Sequence, residues 1–420
     1  MTGNVKRSVT IGVVAAAMAL AGWSVTAQQA PPQGGGAQGA APQGRGGGRG
    51  ASTPPDASGE CPKGTTLVRI GSCQAPEFAP PSILDYRPKS TLVTAEHLVP
   101  KAKFPVVDIH SHTGPTPQTI DQLIKEMDAM GLRVLTNLSG GFGDALKQKT
   151  DYIKATKYAD RFKVFANGLD GFANVAPGYG QRAAAQLKAD VAAGAIGLKI
   201  FKQTGKDTLK KDGTRLKIND PELAPLWDMA GEMNIPVIIH TAEPPQFFQP
   251  LDMHNERWLE LALFSDRRNY GPGQVTFETL ITERNDLFRQ HPKTRFIAAH
   301  FGYCAQDLKT CGELLDKYPN LVLEVSAVLY DFGRQPRAAR DFFVKYQDRI
   351  LFGKDTYAPA EFPYYWRVFE TADEYFDYYR NYHAFWKLYG MELPDAVLKK
   401  IYFQNSLRVA PGLPQTGWPR

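Results

Sequence analysis

Residues 104–112 read FPVVDIHSH, an apolar run that closes on two histidines one residue apart. Side chains alternate across a strand, so Asp108, His110 and His112 share one face while Ile109 and Ser111 take the other. Two imidazoles held side by side form a ligand pair. Three later stretches repeat the design, a β-prone apolar run ending in a residue type that binds metals: IPVIIHT with His240, TRFIAAH with His300 and RILFGKD with Asp355. Four histidines and a carboxylate make a nitrogen-rich set suited to zinc or a similar divalent ion, which imidazole binds at roughly 2.0–2.1 Å. A lone histidine on an apolar segment is ordinarily a satisfied core residue. Here four of the chain's eight histidines fall at such ends, and that favours ligation. His97, His254, His291 and His383 keep the ordinary reading, as solvated or loop residues.

The elements that must position these residues follow from periodicity. Strands are expected near 104–112, 132–138, 162–168, 195–201, 235–241, 294–300, 320–326 and 349–355. Between them lie helical patterns such as TIDQLIKEMDAMG, which puts Ile120, Leu123, Ile124 and Met127 on one face and closes at Gly131. Others span roughly 144–159, 180–193, 221–233, 274–290, 305–318 and 336–347. Alternation of this kind implies an α/β class with parallel pairing, and eight units over about 250 residues match a (β/α)8 TIM barrel. A doubly wound open sheet is the competing architecture. The ligands decide between them: they come from strands one, five, six and eight, which an open sheet splays apart and a barrel gathers on its C-terminal face. Three long loops leave that face, 202–220, 243–273 and the aromatic 357–389. Such loops shape a pocket or form a lid, although the aromatic run also reads as a helix packed on the barrel.

Ahead of the barrel the chain changes character. Lys6 and Arg7, an apolar stretch from Val9 to Ala21, and Val25-Thr26-Ala27 before Gln28 read as an export signal over residues 1–27. The stretch is shorter than the roughly 20 residues that span a bilayer, so no stable membrane span is expected after cleavage. Export places the protein in the periplasm or outside the cell. Residues 28–60 are mostly Gly, Pro, Gln, Ala and Ser with two arginines, an expected disordered linker without the large apolar residues that offset chain entropy. Residues 61–100 form a cysteine-containing extension, and 101–411 the catalytic barrel. In an oxidising compartment Cys61 and Cys73 are the expected bridge. Cys304 and Cys311 sit on an expected helix, where about 1.5 Å of rise per residue sets their Cα atoms roughly 10 Å apart. They pair only if the helix breaks there. The net charge of +6 is modest and falls partly in the unfolded segment, so no nucleic-acid partner is implied.

The motifs VVDIHSH, IIHTA, AAHFG and LFGKD, in that order, resemble the amidohydrolase superfamily and specifically its amidohydrolase-2 branch. The closing LPDAVLKKIYFQNSLRV resembles that branch's C-terminal helix, so the resemblance covers roughly 104–410. It implies one divalent ion, zinc first, held by His110, His112, His240 and Asp355, with His300 as a catalytic acid or base or a ligand to a second ion. Lys199, at the end of the fourth strand, could by the same resemblance carry CO2 as a carbamate bridging two ions; a lysine pairing with Asp355, Glu324 or a substrate carboxylate is the favoured reading. The sequence departs from many relatives at Lys354 and Glu324, where they carry a small hydroxyl residue and Asp.

A bound divalent ion lowers the pKa of its water to about 7 and polarises a carbonyl. Asp355 is placed to take a proton from that water, and His300 to orient the substrate oxygen or protonate the leaving group. The expected function is therefore an exported hydrolase cleaving a C–N or C–O bond of a small molecule by metal-bound hydroxide. The alternative is a non-oxidative decarboxylase, a carboxy-lyase of an aromatic or unsaturated acid, which uses the same ligands and wants a cation near the metal. Lys199, Lys202, Arg215 and Arg257 are the candidates. A non-catalytic binding protein ranks last, because no ligand is missing. Homo-oligomerisation is open.

Overall fold

The computed structural model describes residues 52–383 and 385–419. The expected export signal and most of the expected linker lie outside the described residues. The last part of that linker is tied down by backbone bonds: Thr53 and Cys73 exchange N–H···O contacts of 3.0 and 2.8 Å. The described residues up to Thr91 form one compact unit and those from Leu92 onward another. In the first, β1 (Thr66–Arg69) and β2 (Ser72–Gln74) make an antiparallel hairpin. Its β1 residues are all exposed, so little core supports it. The Cys61–Cys73 disulfide, with Cα atoms 5.6 Å apart, supplies the constraint instead, as expected.

The second unit begins earlier than the boundary expected at residue 100. His97 explains this: its backbone N–H donates to Asp373 Oδ2 at 2.7 Å and its ring Nδ1 meets Asp373 Oδ1, tying residues 92–100 to the barrel's own C-terminal loop.

All eight expected barrel strands are present. They are β3 (Val106–Ser111), β4 (Leu132–Asn137), β5 (Phe162–Val164) continued as β6 (Ala166–Asn167), β7 (Leu198–Ile200), β8 (Pro236–Ile239), β9 (Arg295–Ala298), β10 (Leu321–Glu324) and β11 (Ile350–Leu351). Every pairing among them is parallel. One sheet runs β3-β4-β5 and the other β6 to β11, and they join because β5 and β6 are successive pieces of one strand. At the other seam Ile109 N–H donates to Phe352 O at 3.1 Å, and Ser111 bridges Asp355 in parallel. The ring closes there. Residues of β3, β8 and β10 are buried on both faces, as strands packed between an inner core and an outer helix layer must be.

The helices form where the apolar spacing places them. Ile120–Met130 buries Ile120, Leu123, Ile124, Met127 and Met130 and stops at Gly131, whose φ of 84° suits a residue without Cβ. One helix starts later than expected, with a chemical consequence. The helix expected from residue 305 begins at Leu308, because the Asp307 carboxylate caps it by accepting the Thr310 N–H at 3.1 Å. Cys304 therefore lies outside the helix, its Cα comes to 5.5 Å from that of Cys311, and the two are bridged. The aromatic stretch divides its roles. Phe362–Glu370 is a helix burying Phe362, Tyr365, Trp366, Val368 and Phe369, while Tyr379, Tyr382 and His383 turn to a cavity above the strand ends.

Candidate functional site

The strand β3 delivers His110 and His112 to the C-terminal mouth, and the chain leaving β11 delivers Asp355. The seam bond from Asp355 N–H to His110 O, 2.6 Å, fixes them relative to one another, and Asp355 adopts φ 77° to make it. His110 Nε2 lies 3.6 Å and His112 Nε2 3.4 Å from the same Asp355 Oδ1. The other ring nitrogens face outward: His110 Nδ1 is 2.9 Å from Glu324 Oε1, and His112 Nδ1 is 2.8 Å from Ser139 Oγ. That leaves both Nε2 atoms beside one carboxylate oxygen, with Lys199 Nζ also 3.2 Å from that of His110. Imidazoles oriented through their far nitrogen by a carboxylate or hydroxyl are the arrangement metal-binding histidines adopt, so the donor set fits a divalent ion.

Glu324, on β10, is fully buried. Burial raises its carboxyl pKa, but His110, His300 and Ser326 outweigh that and hold it down at about 2. It also accepts the His300 backbone N–H at 2.7 Å. Asp108, on the same face of β3 as His110, accepts N–H bonds from His110 (3.1 Å) and Lys354 (3.0 Å), pinning the first strand to the last. Burial lifts its carboxyl to about 8. Lys354, whose position before Asp355 departed from the family pattern, pairs through Nζ with Glu361 and lies near the rings of Phe362, Tyr365 and Tyr379.

His240 and His300 form a second group. After β9 the chain makes a left-handed turn in which His300, Phe301, Gly302 and Tyr303 all have φ between 55 and 62°. Three of these are not glycine, so the turn needs outside support. Phe301 supplies some by packing among Phe332, Phe342 and Phe343, and buried Arg284 adds a bond from Nη1 to Gly302 O at 2.8 Å. The Cys304–Cys311 bridge closes the next residue. The turn presents a directed chain: Tyr303 O–H to His240 Nε2 (2.8 Å), His240 Nδ1 to His300 Nε2 (3.2 Å), and His300 Nδ1 to Ser326 O (3.0 Å). The tautomers are those that satisfy each link. Among the described residues, the donor atoms that lie within 4.8 Å of one another belong to His110, His112 and Asp355, and to His110, His300 and Glu324. His240 stands outside both groups.

Lys199, on β7, is fully buried with Nζ 3.2 Å from His110 Nε2. Burial brings its pKa down to about 8 against the pull of Asp355 and Glu324. It makes no ion pair among the described residues. Lys202 and Arg257 line the cavity but already have partners, Lys202 with Glu243, and Arg257 with Glu260 and the Tyr330 hydroxyl. Arg215 sits elsewhere, paired with Glu283 and donating to Gly205 O. The cavity itself measures about 680 Å³ and reaches His240, His300 and Asp355 at its base. Its walls include Phe247, Tyr303, Tyr330, Tyr379 and Tyr382, with Arg267 and Arg380 among them. Tyr303, Ser326 and Ser139 were not legible as site residues, since single hydroxyl residues in loops carry no spacing signal. His383, read as a loop residue, is buried at the cavity wall against Tyr330.

Residues 107–410 match the amidohydrolase family model. No curated protein matches the chain. Among solved structures, a 2,6-dihydroxybenzoate decarboxylase is 17% identical, with 73% of this chain and 99% of that one covered at a TM-score of 0.46. A dihydroxybenzoic acid decarboxylase from Polaromonas sp. JS666, with bound manganese and 2-nitroresorcinol, is 14% identical over 73% of this chain and 97% of its own, at 0.45. A 4-oxalomesaconate hydratase from Rhodopseudomonas palustris is 16% identical over 73% and 96%, at 0.44.

Proposed function

The chain belongs to the amidohydrolase family, and from that premise we propose that it is a metal-dependent carboxy-lyase acting on an aromatic or unsaturated carboxylic acid. The observation that carries this reading is Lys199: a fully buried lysine, without an ion pair among the described residues, set 3.2 Å from a ligand-type histidine nitrogen. An ammonium beside a bound dication is repelled unless an anion lies between them or the amine is neutral. A substrate carboxylate answers that requirement, and the aromatic walls of the cavity suit a flat, unsaturated body.

His110, His112 and Asp355 would hold the ion; His240, the fourth ligand expected from the sequence, has both ring nitrogens engaged by Tyr303 and His300. When bound, the ion supplies Lewis-acid polarisation of a substrate oxygen next to the bond to be broken. Lys199 orients the carboxylate by charge. The tyrosine-rich wall holds the ring and excludes water. Cleavage of the C–CO2 bond leaves its electron pair on the substrate carbon, that carbon takes one proton, and CO2 departs. His300, tied to Ser326 O through Nδ1 and accepting from His240 Nδ1 through Nε2, would receive its proton along the Tyr303–His240 chain before passing it on, with Asp355 as the other candidate.

Hydrolysis of a C–N or C–O bond, first in the sequence reading, runs on the same residues and is placed second here because it brings Lys199 no anion within ion-pair distance, Asp355 and Glu324 acting on it only from further off. The carbamate alternative for Lys199, with two ions, would restore hydrolysis to first place. Zinc as the ion and export to the periplasm or beyond belong to the same proposal.

The test is a panel of aromatic and unsaturated acids incubated with metal-loaded protein in deuterated water, beside amide, lactone and ester panels. Release of CO2 with one deuterium on the product carbon supports the lyase. Turnover confined to the second panel, with water oxygen entering the product, overturns it.

A further inference from the structure

At the opposite end of the barrel from the ligands, the starts of β9, β10 and β11, with Arg408 and Val409, line a second cavity of about 380 Å³. It is lined by Lys293, Arg295, Asn320, Arg349 and Arg408 together with Pro292 and Pro319. None of the three arginines makes an ion pair among the described residues. Each is instead anchored to neutral oxygens. Arg295 Nη1 donates to Val409 O at 2.5 Å and Arg408 O at 3.2 Å, and its Nη2 to Asn234 Oδ1. Arg349 donates to Leu321 O through Nε at 2.8 Å and to Tyr318 O through Nη2 at 2.7 Å. Arg408 donates through Nη2 to Asp348 O and Asn405 Oδ1.

These contacts neutralise no charge. They fix the guanidiniums while Arg295 Nε, Arg349 Nη1 and Arg408 Nη1 keep donors unused among the described residues. Two acids of this region have other partners, Asp348 pairing with Lys400 at 2.9 Å and Asp316 accepting from the Tyr346 hydroxyl at 3.0 Å, although Asp316 still draws the Arg349 pKa upward. The arginines repel one another: Arg408 presses the pKa of both Arg295 and Arg349 downward, in addition to burial. Rigid like charges held together around a cavity bind an anion without first losing side-chain entropy, and planar guanidiniums match the geometry of oxyanions.

We propose that this floor of the barrel is a binding site for a small oxyanion of the phosphate class carrying two or more negative charges, held by Arg295, Arg349, Arg408 and Lys293. Nothing in the proposed carboxy-lyase chemistry uses these residues, and the site stands or falls separately from it.

Isothermal titration of inorganic phosphate into the full chain, at constant ionic strength in chloride, tests the proposal. The expected result is saturable binding at one site per chain, weakened about tenfold or more in Arg408→Gln, with turnover at the other face unchanged. Arg408 is exposed, so its substitution spares the fold; Arg349→Gln, checked first for cooperative thermal unfolding, serves as the second variant. Heat no greater than that of matched chloride overturns the proposal, and so does saturable binding that both variants retain at wild-type strength.

Discussion

His110 and His112 leave one strand and meet Asp355 with their Nε2 atoms at 3.6 and 3.4 Å, whereas His240 and His300 leave neighbouring strands and meet each other at 3.2 Å. The first group turns donor atoms toward a shared point and spends its other nitrogens on Glu324 and Ser139. The second spends its nitrogens on one another, on Tyr303 and on Ser326. One half of the site is arranged to hold a cation, and the other to hold protons in a fixed order. Glu324 belongs to both, because it touches His110 Nδ1 and the His300 backbone N–H.

The largest expected effect tests the first half. Asp355→Asn or His110→Ala should empty the site of metal and lower kcat/KM by about 10³-fold or more, the scale on which enzymes lose a group that stabilises developing charge. Elemental analysis with kinetics checks this; retained metal at wild-type stoichiometry would break the division of labour. Next comes the shared residue. Glu324→Gln removes the carboxylate that fixes the His110 tautomer and should weaken metal affinity by about 10–100-fold, read by competition with a chelator.

Tyr303→Phe addresses the second half alone. It deletes one hydroxyl, keeps the ring, and should leave metal content unchanged while lowering kcat by about tenfold or less, in keeping with the worth of a single hydrogen bond. Metal loss in this variant would move His240 and Tyr303 into the cation-holding group. The paired change Cys304→Ser and Cys311→Ser releases the left-handed turn and should cost about 2–3 kcal/mol in urea unfolding, the scale expected for closing so short a loop. A larger fall in kcat than in metal affinity would show that the turn serves His300.

The smallest effect lies behind the cavity wall. Burial raises the Asp331 carboxyl from its ordinary 3.8 to about 6, although Arg334 and Arg257 oppose it. The folded state therefore keeps a proton that the unfolded chain gives up above 3.8. This contribution to stability is whole below that pH and is lost as pH rises through about 6. Asp331→Asn should flatten the wild-type decline in stability between these pH values, measured by denaturant titration at each.

Much of this was legible because it repeats along the chain. The period of two in FPVVDIHSH puts His110 and His112 on one face whatever surrounds them, and the eight βα units bring strands one and eight together by closure. The Cys61–Cys73 bridge was legible for a similar reason, a short loop between two cysteines. The Cys304–Cys311 bridge was not, because its formation depends on a helix starting at Leu308, and that start is set by one Asp307 cap. Arg215 looked like a cation for the site, yet charge alone does not say which carboxylate a long side chain will find; it found Glu283.

The sequence by itself determined the strand order, the ends on which ligand types sit and the family, since these rest on local periodicity and on motifs read in order. Only the tertiary structure decided that His240 faces Tyr303 and His300, that Lys199 lies beside His110 without an ion pair among the described residues, and that three arginines share a cavity at the far end. Those facts depend on where distant side chains meet and which partners are already taken, and no spacing along a chain encodes that competition.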